Sequence, residues 1–178
     1  MDYQEQVDRI VSTASFGDLV EFSYPIGYSH WGVYVGDGHV IHFAVADQGQ
    51  MLTTVRSALQ HMFPVCGDLL LGETMIRRVP LAEVNVPKGV NATINNDRHD
   101  FTPSAPEDMR RRCDALLDQV FQYHLFNFNC EHFATFIRYG KAVCNQIPGR
   151  RKNKECLDTT LVFNDFVAFK ANNEEFCG

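Results

Sequence analysis

Apolar and polar positions change period along the chain. From Phe16 the run FGDLVEFSYP sets Leu19, Val20, Glu21 and Phe22 among polar residues and stops at Pro25, the pattern of a first strand. Trp31 to Val35 and His39 to Phe43 are short apolar runs separated only by Gly36, Asp37 and Gly38, which predicts a β-hairpin. Another strand or two is expected over Ile76 to Val84, and the polar passage from Asn91 to Pro106 reads as loop. Beyond it the period lengthens. Ser104 and Pro106 precede Glu107, and Met109, Cys113, Leu116, Leu117 and Val120 recur at helical spacing. A further helix begins at Cys130, with Phe133, Phe136 and Ile137 as one apolar stripe and Gly140 placed as its stop. Strands followed by helices predict an α+β domain over residues 16–145. Residues 1–15 form a lead-in, a short helix or a loose segment, and residues 146–178 are expected to be a flexible tail.

The hairpin admits two registers. A three-residue loop of Gly36, Asp37 and Gly38 sets Val35 opposite His39, Gly32 opposite His42 and His30 opposite Ala44, which puts both histidines on one face. A two-residue turn of Asp37 and Gly38 puts them on opposite faces. The local sequence allows both.

Composition narrows the class. The 178 residues suit one domain, and 45% hydrophobic with 21% charged residues is the make-up of a globular chain. A net charge of −6 with no basic stripe through the body disfavours nucleic acid as a partner. No apolar run approaches the ~20 residues a membrane-spanning helix needs, and MDYQEQVDRIV lacks the basic-then-apolar order of a secretory signal. Six irregularly spaced cysteines, Cys66, Cys113, Cys130, Cys144, Cys156 and Cys177, then read as thiols in a reducing, cytoplasmic compartment.

Cys130 is the candidate among them. It stands in the first turn of its helix, where the partial positive charge of the helix end and an adjacent imidazolium favour the thiolate. A nucleophilic cysteine needs a base and a group that orients the base, and His30 and His42 on a rigid hairpin suit those two roles. Taken singly, each has a plainer reading: a strand histidine is usually a hydrogen-bonded structural residue, and a cysteine on an apolar helix is usually a small core side chain. His132, two positions past Cys130, points away from it on a helix and reads as a surface or hydrogen-bonding residue. His39, His61, His99 and His124 have no partner evident in the sequence. A zinc site built from His30, His42 and Cys130 is a minor alternative, because the CEH spacing is not that of structural zinc; no metal and no cofactor are expected.

GDLVEF at Gly17 to Phe22, HWGVYVGDGHVIHFA from His30 and NCEHFATFIRYG at Asn129 to Gly140 resemble the lecithin:retinol acyltransferase domain family over about Phe16 to Gly140. INNDRHDFTP at Ile94 to Pro103 is more similar to its phospholipid-acting branch, the phospholipase A/acyltransferases. The resemblance implies a circularly permuted relative of the NlpC/P60 and papain-like fold, with an antiparallel sheet packed on helices. It implies that Cys130 is the nucleophile, His30 its base and His42 the residue that orients the base. Tyr28 matches a family tyrosine near the oxyanion, with a packed aromatic as the competing reading, and Asn129 matches the asparagine before the nucleophile. The activity implied is phospholipase A and acyl transfer through a cysteine acyl-thioester. Transfer to retinol or another lipid alcohol, and a non-catalytic regulatory role, are the alternatives. Phe128 departs from the pattern, since many relatives have a second asparagine there. The tail departs as well. Its apolar patch, Leu161 to Phe169, is short and broken by Asn164 and Asp165. Beside Cys156, the basic group Arg150, Arg151, Lys152 and Lys154 is suited either to peripheral contact with an anionic membrane or to solvation in a disordered segment.

Overall fold

The computed structural model describes residues 1–45 and 74–176. Cys66, Cys177 and His61 lie outside the described residues. In chain order the elements are α1 (Tyr3–Thr13), β1 (Leu19–Ser23), β2 (Ser29–Gly36), β3 (His39–Val45), β4 (Thr74–Pro80), a 3₁₀ turn (Leu81–Glu83), β5 (Asn91–Ile94), α2 (Pro106–Leu116), β6 (Val120–Phe121), α3 (Cys130–Tyr139) and α4 (Leu157–Phe176). The strands form one antiparallel sheet in the order β5-β1-β2-β3-β4-β6, so the fold is α+β as the periodicity predicts.

The central strands carry almost no polar alternation because both faces of the sheet are covered. On one face Leu19, Trp31, Val33, Ile41, Phe43 and Ile76 pack with Met109 and Leu116 of α2, Phe133 and Ile137 of α3, and Phe163 of α4. On the other, Val20, Phe22, Tyr34 and Val40 pack with Val7 and Ile10 of α1 and with Leu81. Trp31, Phe22 and Phe43 are fully buried, each contributing roughly 1.5–3 kcal/mol relative to exposure. The lead-in is thus a helix. A capping box between Asp2 and Glu5 starts it, and it docks its apolar side on the sheet.

The hairpin is built in neither of the two expected ways. Gly36 pairs with His39, so the turn is the two-residue one, and Asp37 and Gly38 have φ of 51° and 73° as a type I′ turn requires. Between Tyr34 and Gly36 the ladder shifts by one residue, and beyond that bulge Val33 pairs with Ile41. The bulge restores the register that a three-residue loop would have produced: a Cβ on Gly32 would lie 3.5 Å from His42 Cβ.

Other elements depart from their pattern. Within the passage expected to be loop, Asn91–Ile94 is edge strand β5, paired to β1. α2 ends at Leu116, because Asp118 takes φ 62° and Val120 turns into β6 against Met75. Of the strand or two expected over Ile76 to Val84 there is one, Thr74–Pro80, since Leu81–Glu83 closes into a 3₁₀ turn. The segment expected to be a tail holds α4, whose Phe163 is fully buried and stacks on Phe136.

Candidate active site

Asn129 makes Cys130 the first residue of a helix. Its extended backbone (φ −122°, ψ −176°) is that of an N-cap, and its Oδ1 accepts from the backbone N–H of Glu131 at 3.0 Å and of His132 at 3.1 Å. In return His132 Nδ1 accepts from the Asn129 N–H at 3.2 Å, a capping box with histidine where glutamate or glutamine is usual. The Asn129 amide also donates to the Leu125 carbonyl at 2.7 Å and to Cys144 Sγ at 3.3 Å. Both ends of that side chain therefore hold the helix start. Gly140, in the left-handed region at φ 73°, ends α3 at the predicted place.

The bulged hairpin brings His30 and His42 together, with His30 Nε2 2.8 Å from His42 Nδ1 and the rings edge to face. Both are buried, and Phe22, the cross-strand partner of His30, packs against its ring at 5.7 Å between centroids. Burial pushes the His30 imidazole well below its ordinary value, and the neighbouring His42 adds to this. Burial, followed by the charge of Arg77, lowers His42 to about 4. Both rings are thus neutral near pH 7. His30 Nδ1 is buried and makes no hydrogen bond.

Cys130 is fully buried among the residues on the α3 side of the sheet. Tyr28, two residues before His30, touches the clusters on both faces and sets its hydroxyl 3.4 Å from Cys130 Sγ and 3.2 Å from the Tyr123 hydroxyl. Phe128 joins Phe43, Phe121 and Phe163 in an aromatic group within the cluster that holds Cys130. None of Cys113, Cys130, Cys144 and Cys156 is in a disulfide. Among the described residues no group of three or more His, Cys, Asp or Glu side chains is gathered as a metal would need.

Two buried residues beside Cys130 escape any periodicity argument. Glu131, next to Cys130, is fully buried and accepts from His99 Nε2 at 2.7 Å, the Asn145 N–H at 2.9 Å, Gln146 Nε2 at 2.9 Å and Cys144 Sγ at 3.2 Å. Burial alone would raise its carboxyl, but these donors, His99 foremost, hold it below the usual carboxylate range. The sequence offers one signal only, an acidic residue at the second position of a helix whose stripe is apolar. His132 is likewise buried at 1% exposure instead of at the surface.

The chain matches a known family over most of its length. Residues 12–143 fit the family described as Lecithin retinol acyltransferase, and the chain belongs to it. Within that family it is similar to human Phospholipase A and acyltransferase 2, at 36% identity over 136 residues covering 75% of each chain. It is also similar to human Phospholipase A and acyltransferase 4, at 32% over 134 residues (74% of this chain, 73% of the relative), and to human Phospholipase A and acyltransferase 1, at 31% over 132 residues (73% and 70%).

Proposed function

We propose that the protein is a thiol-dependent phospholipid acyl hydrolase and acyltransferase that works through an acyl-thioester on Cys130. The observation that carries the reading is the division of labour in the His30 ring. Its Nε2 is engaged with His42 Nδ1, while Nδ1, buried and without a hydrogen bond, is left to take a proton. With its proton on Nε2, neutral His30 donates to His42 and presents the Nδ1 lone pair. The same hydrogen bond then stabilises the imidazolium once Nδ1 is protonated. Contacts of this kind are often loose before substrate binds and tighten in the complex.

In the first step His30 Nδ1 takes the thiol proton as Sγ attacks the ester carbonyl of a glycerophospholipid. Because burial keeps the resting imidazole neutral, the proton moves during the attack and is not already on the ring. The tetrahedral oxyanion meets the backbone N–H of Cys130 at the positive end of α3, with the Tyr28 hydroxyl as second donor. The C–O bond to the glycerol oxygen breaks, His30 returns its proton to that oxygen, and lysophospholipid leaves. Water then attacks the thioester, deprotonated by His30, and releases fatty acid and thiol, which is phospholipase A activity. An amine or hydroxyl acceptor in place of water completes acyl transfer. Asn129 supports the site by holding the helix start. The relatives named phospholipase A and acyltransferase support the choice of substrate.

The substrate lies in a membrane, and no described helix is long and apolar enough to cross one. Peripheral contact is assigned to the exposed Arg150, Arg151, Lys152 and Lys154, which line a cleft of about 790 Å³, together with Leu157 and Leu161, 65% and 59% exposed one turn apart on α4. Each such cation near an anionic surface is worth ~1 kcal/mol.

Intact mass after incubation with phosphatidylcholine should show one acyl group added, localised to Cys130 by peptide mapping. Cys130→Ser should lose hydrolysis and transfer together. A folded Cys130→Ala protein with full phospholipase activity would refute the assignment.

A further inference from the structure

Cys130 and His30 come from elements one hundred residues apart in the chain, and one side chain bridges the residues next to them. Gln146 Oε1 accepts from the Ser29 N–H at 2.7 Å, and its Nε2 donates to the Ser29 carbonyl at 2.9 Å. The amide therefore pairs with Ser29 as a strand residue would, at the start of β2 and immediately before His30. The same Nε2 donates to Glu131 Oε2 at 2.9 Å, immediately after Cys130. Neither anchor can easily shift. Ser29 Oγ donates to Glu21 Oε1 at 2.7 Å within β1, and Glu21 also accepts from Asn95 Nδ2 at 2.6 Å. Glu131 is a fully buried carboxylate, and movement would strip it of donors that burial makes expensive to lose.

We infer that Gln146 is a positioning residue whose amide sets the approach of Cys130 to His30, by tying the start of the histidine strand to the start of the cysteine helix. The inference rests on the proposed roles of those two residues. Gln146 itself touches neither of them and acts through Ser29 and Glu131. Nucleophile and base must meet within a few tenths of an ångström for proton transfer and attack to coincide, and a misplacement of ~1 Å costs on the order of 10²-fold in rate.

The test uses Gln146→Leu, which removes all three hydrogen bonds at similar volume, and Gln146→Asn, which keeps the amide one methylene short of spanning both anchors. Gln6→Leu is the control. Gln6 pairs with β5 in the same manner, accepting from the Ala92 N–H at 2.6 Å and donating to the Val90 carbonyl at 3.2 Å, far in the network from either group. Measurements are Tm, kcat and KM on phosphatidylcholine in full-length protein, and the pH profile of Cys130 alkylation by iodoacetamide, each profile normalised to its own plateau. Gln146→Leu should lower kcat about 100-fold with KM within about twofold, and should move the alkylation midpoint upward. Gln6→Leu should lower Tm with kcat and midpoint unchanged. If Gln146→Leu does not fold, the same kcat loss and midpoint shift, smaller in size, are required of Gln146→Asn. A Gln146 variant that loses only Tm, with kcat and midpoint at wild-type values, overturns the inference. If wild type does not turn over phospholipid but the midpoint still moves in the Gln146 variants alone, the positioning role stands and the phospholipid reading fails.

Discussion

Replacing His132 with glutamine should make the protein less sensitive to acid without disturbing it at neutral pH. His132 is 1% exposed at the third position of α3, and its Nδ1 accepts the Asn129 N–H at 3.2 Å. A protonated ring could not accept there, and its charge would sit at the positive end of the helix. Burial lowers its pKa to about 4 from 6.5, with the carboxylate of Glu131 opposing and Arg150 assisting. A depressed histidine pKa means that the unfolded chain binds the extra proton first. Stability is therefore full above about pH 6.5 and is lost as pH falls towards 4. Between those two values the loss reaches at most about 3 kcal/mol, and going from pH 7.5 to 5.0 it amounts to about 2 kcal/mol. Glutamine offers a neutral oxygen at the position where capping boxes use one, and it does not titrate. Urea unfolding followed by Trp31 fluorescence and by far-UV circular dichroism at pH 7.5 and 5.0 measures both proteins. His132→Gln should lose about 2 kcal/mol less than wild type between the two conditions. His30 and His42 titrate alike in both proteins and cancel, as does any packing cost at the substituted site. Equal losses in the two proteins would refute the claim that His132 is buried neutral.

The two strand histidines should respond differently to an amide. His42→Gln retains an acceptor for the His30 Nε2 proton and should keep at least ten times the kcat of His42→Ala, whereas His30→Gln, having no group that exchanges a proton near pH 7, should fall by about 10²–10⁴-fold. Equal, near-complete loss in both folded His42 variants would show that His42 does more than orient. Co-sedimentation with phosphatidylserine vesicles should weaken about 100-fold or more when Arg150, Arg151, Lys152 and Lys154 are all changed to serine, and 1 M salt should abolish it. Phosphatidylserine binding that is unchanged by the substitutions would rule out the basic face as the contact.

Much of the site was legible because its parts are local. The apolar stripe of Phe133, Phe136 and Ile137, the Asn129 cap and the Gly140 stop lie within a dozen residues, and helix sterics act over that range. The hairpin was legible for the same reason, down to its glycines. Its register was not, because the bulge that aligns His30 with His42 depends on how β2 pairs with β1 on one side and β3 on the other. Edge strand β5 was hidden because it is only four residues long, so the outward Asn91 and Thr93 and the inward Ala92 and Ile94 alternate too briefly to stand out within a polar passage. Val120 continues a helical stripe in the sequence, yet the turn at Asp118 hands it to β4.

The sequence by itself determined the α+β class, the family through its three motifs, and which cysteine and histidines to examine. These follow from steric period, capping chemistry and short-range spacing, which few residues suffice to express. Tertiary structure alone decided that His30 Nε2 meets His42 Nδ1 while His30 Nδ1 makes no hydrogen bond, that Phe163 anchors α4, and that Glu131 is sheltered by His99, 32 residues away, and by Gln146, 15 residues away. A buried polar group must find its partner wherever the folded chain supplies one, and that requirement leaves no periodic trace in the sequence.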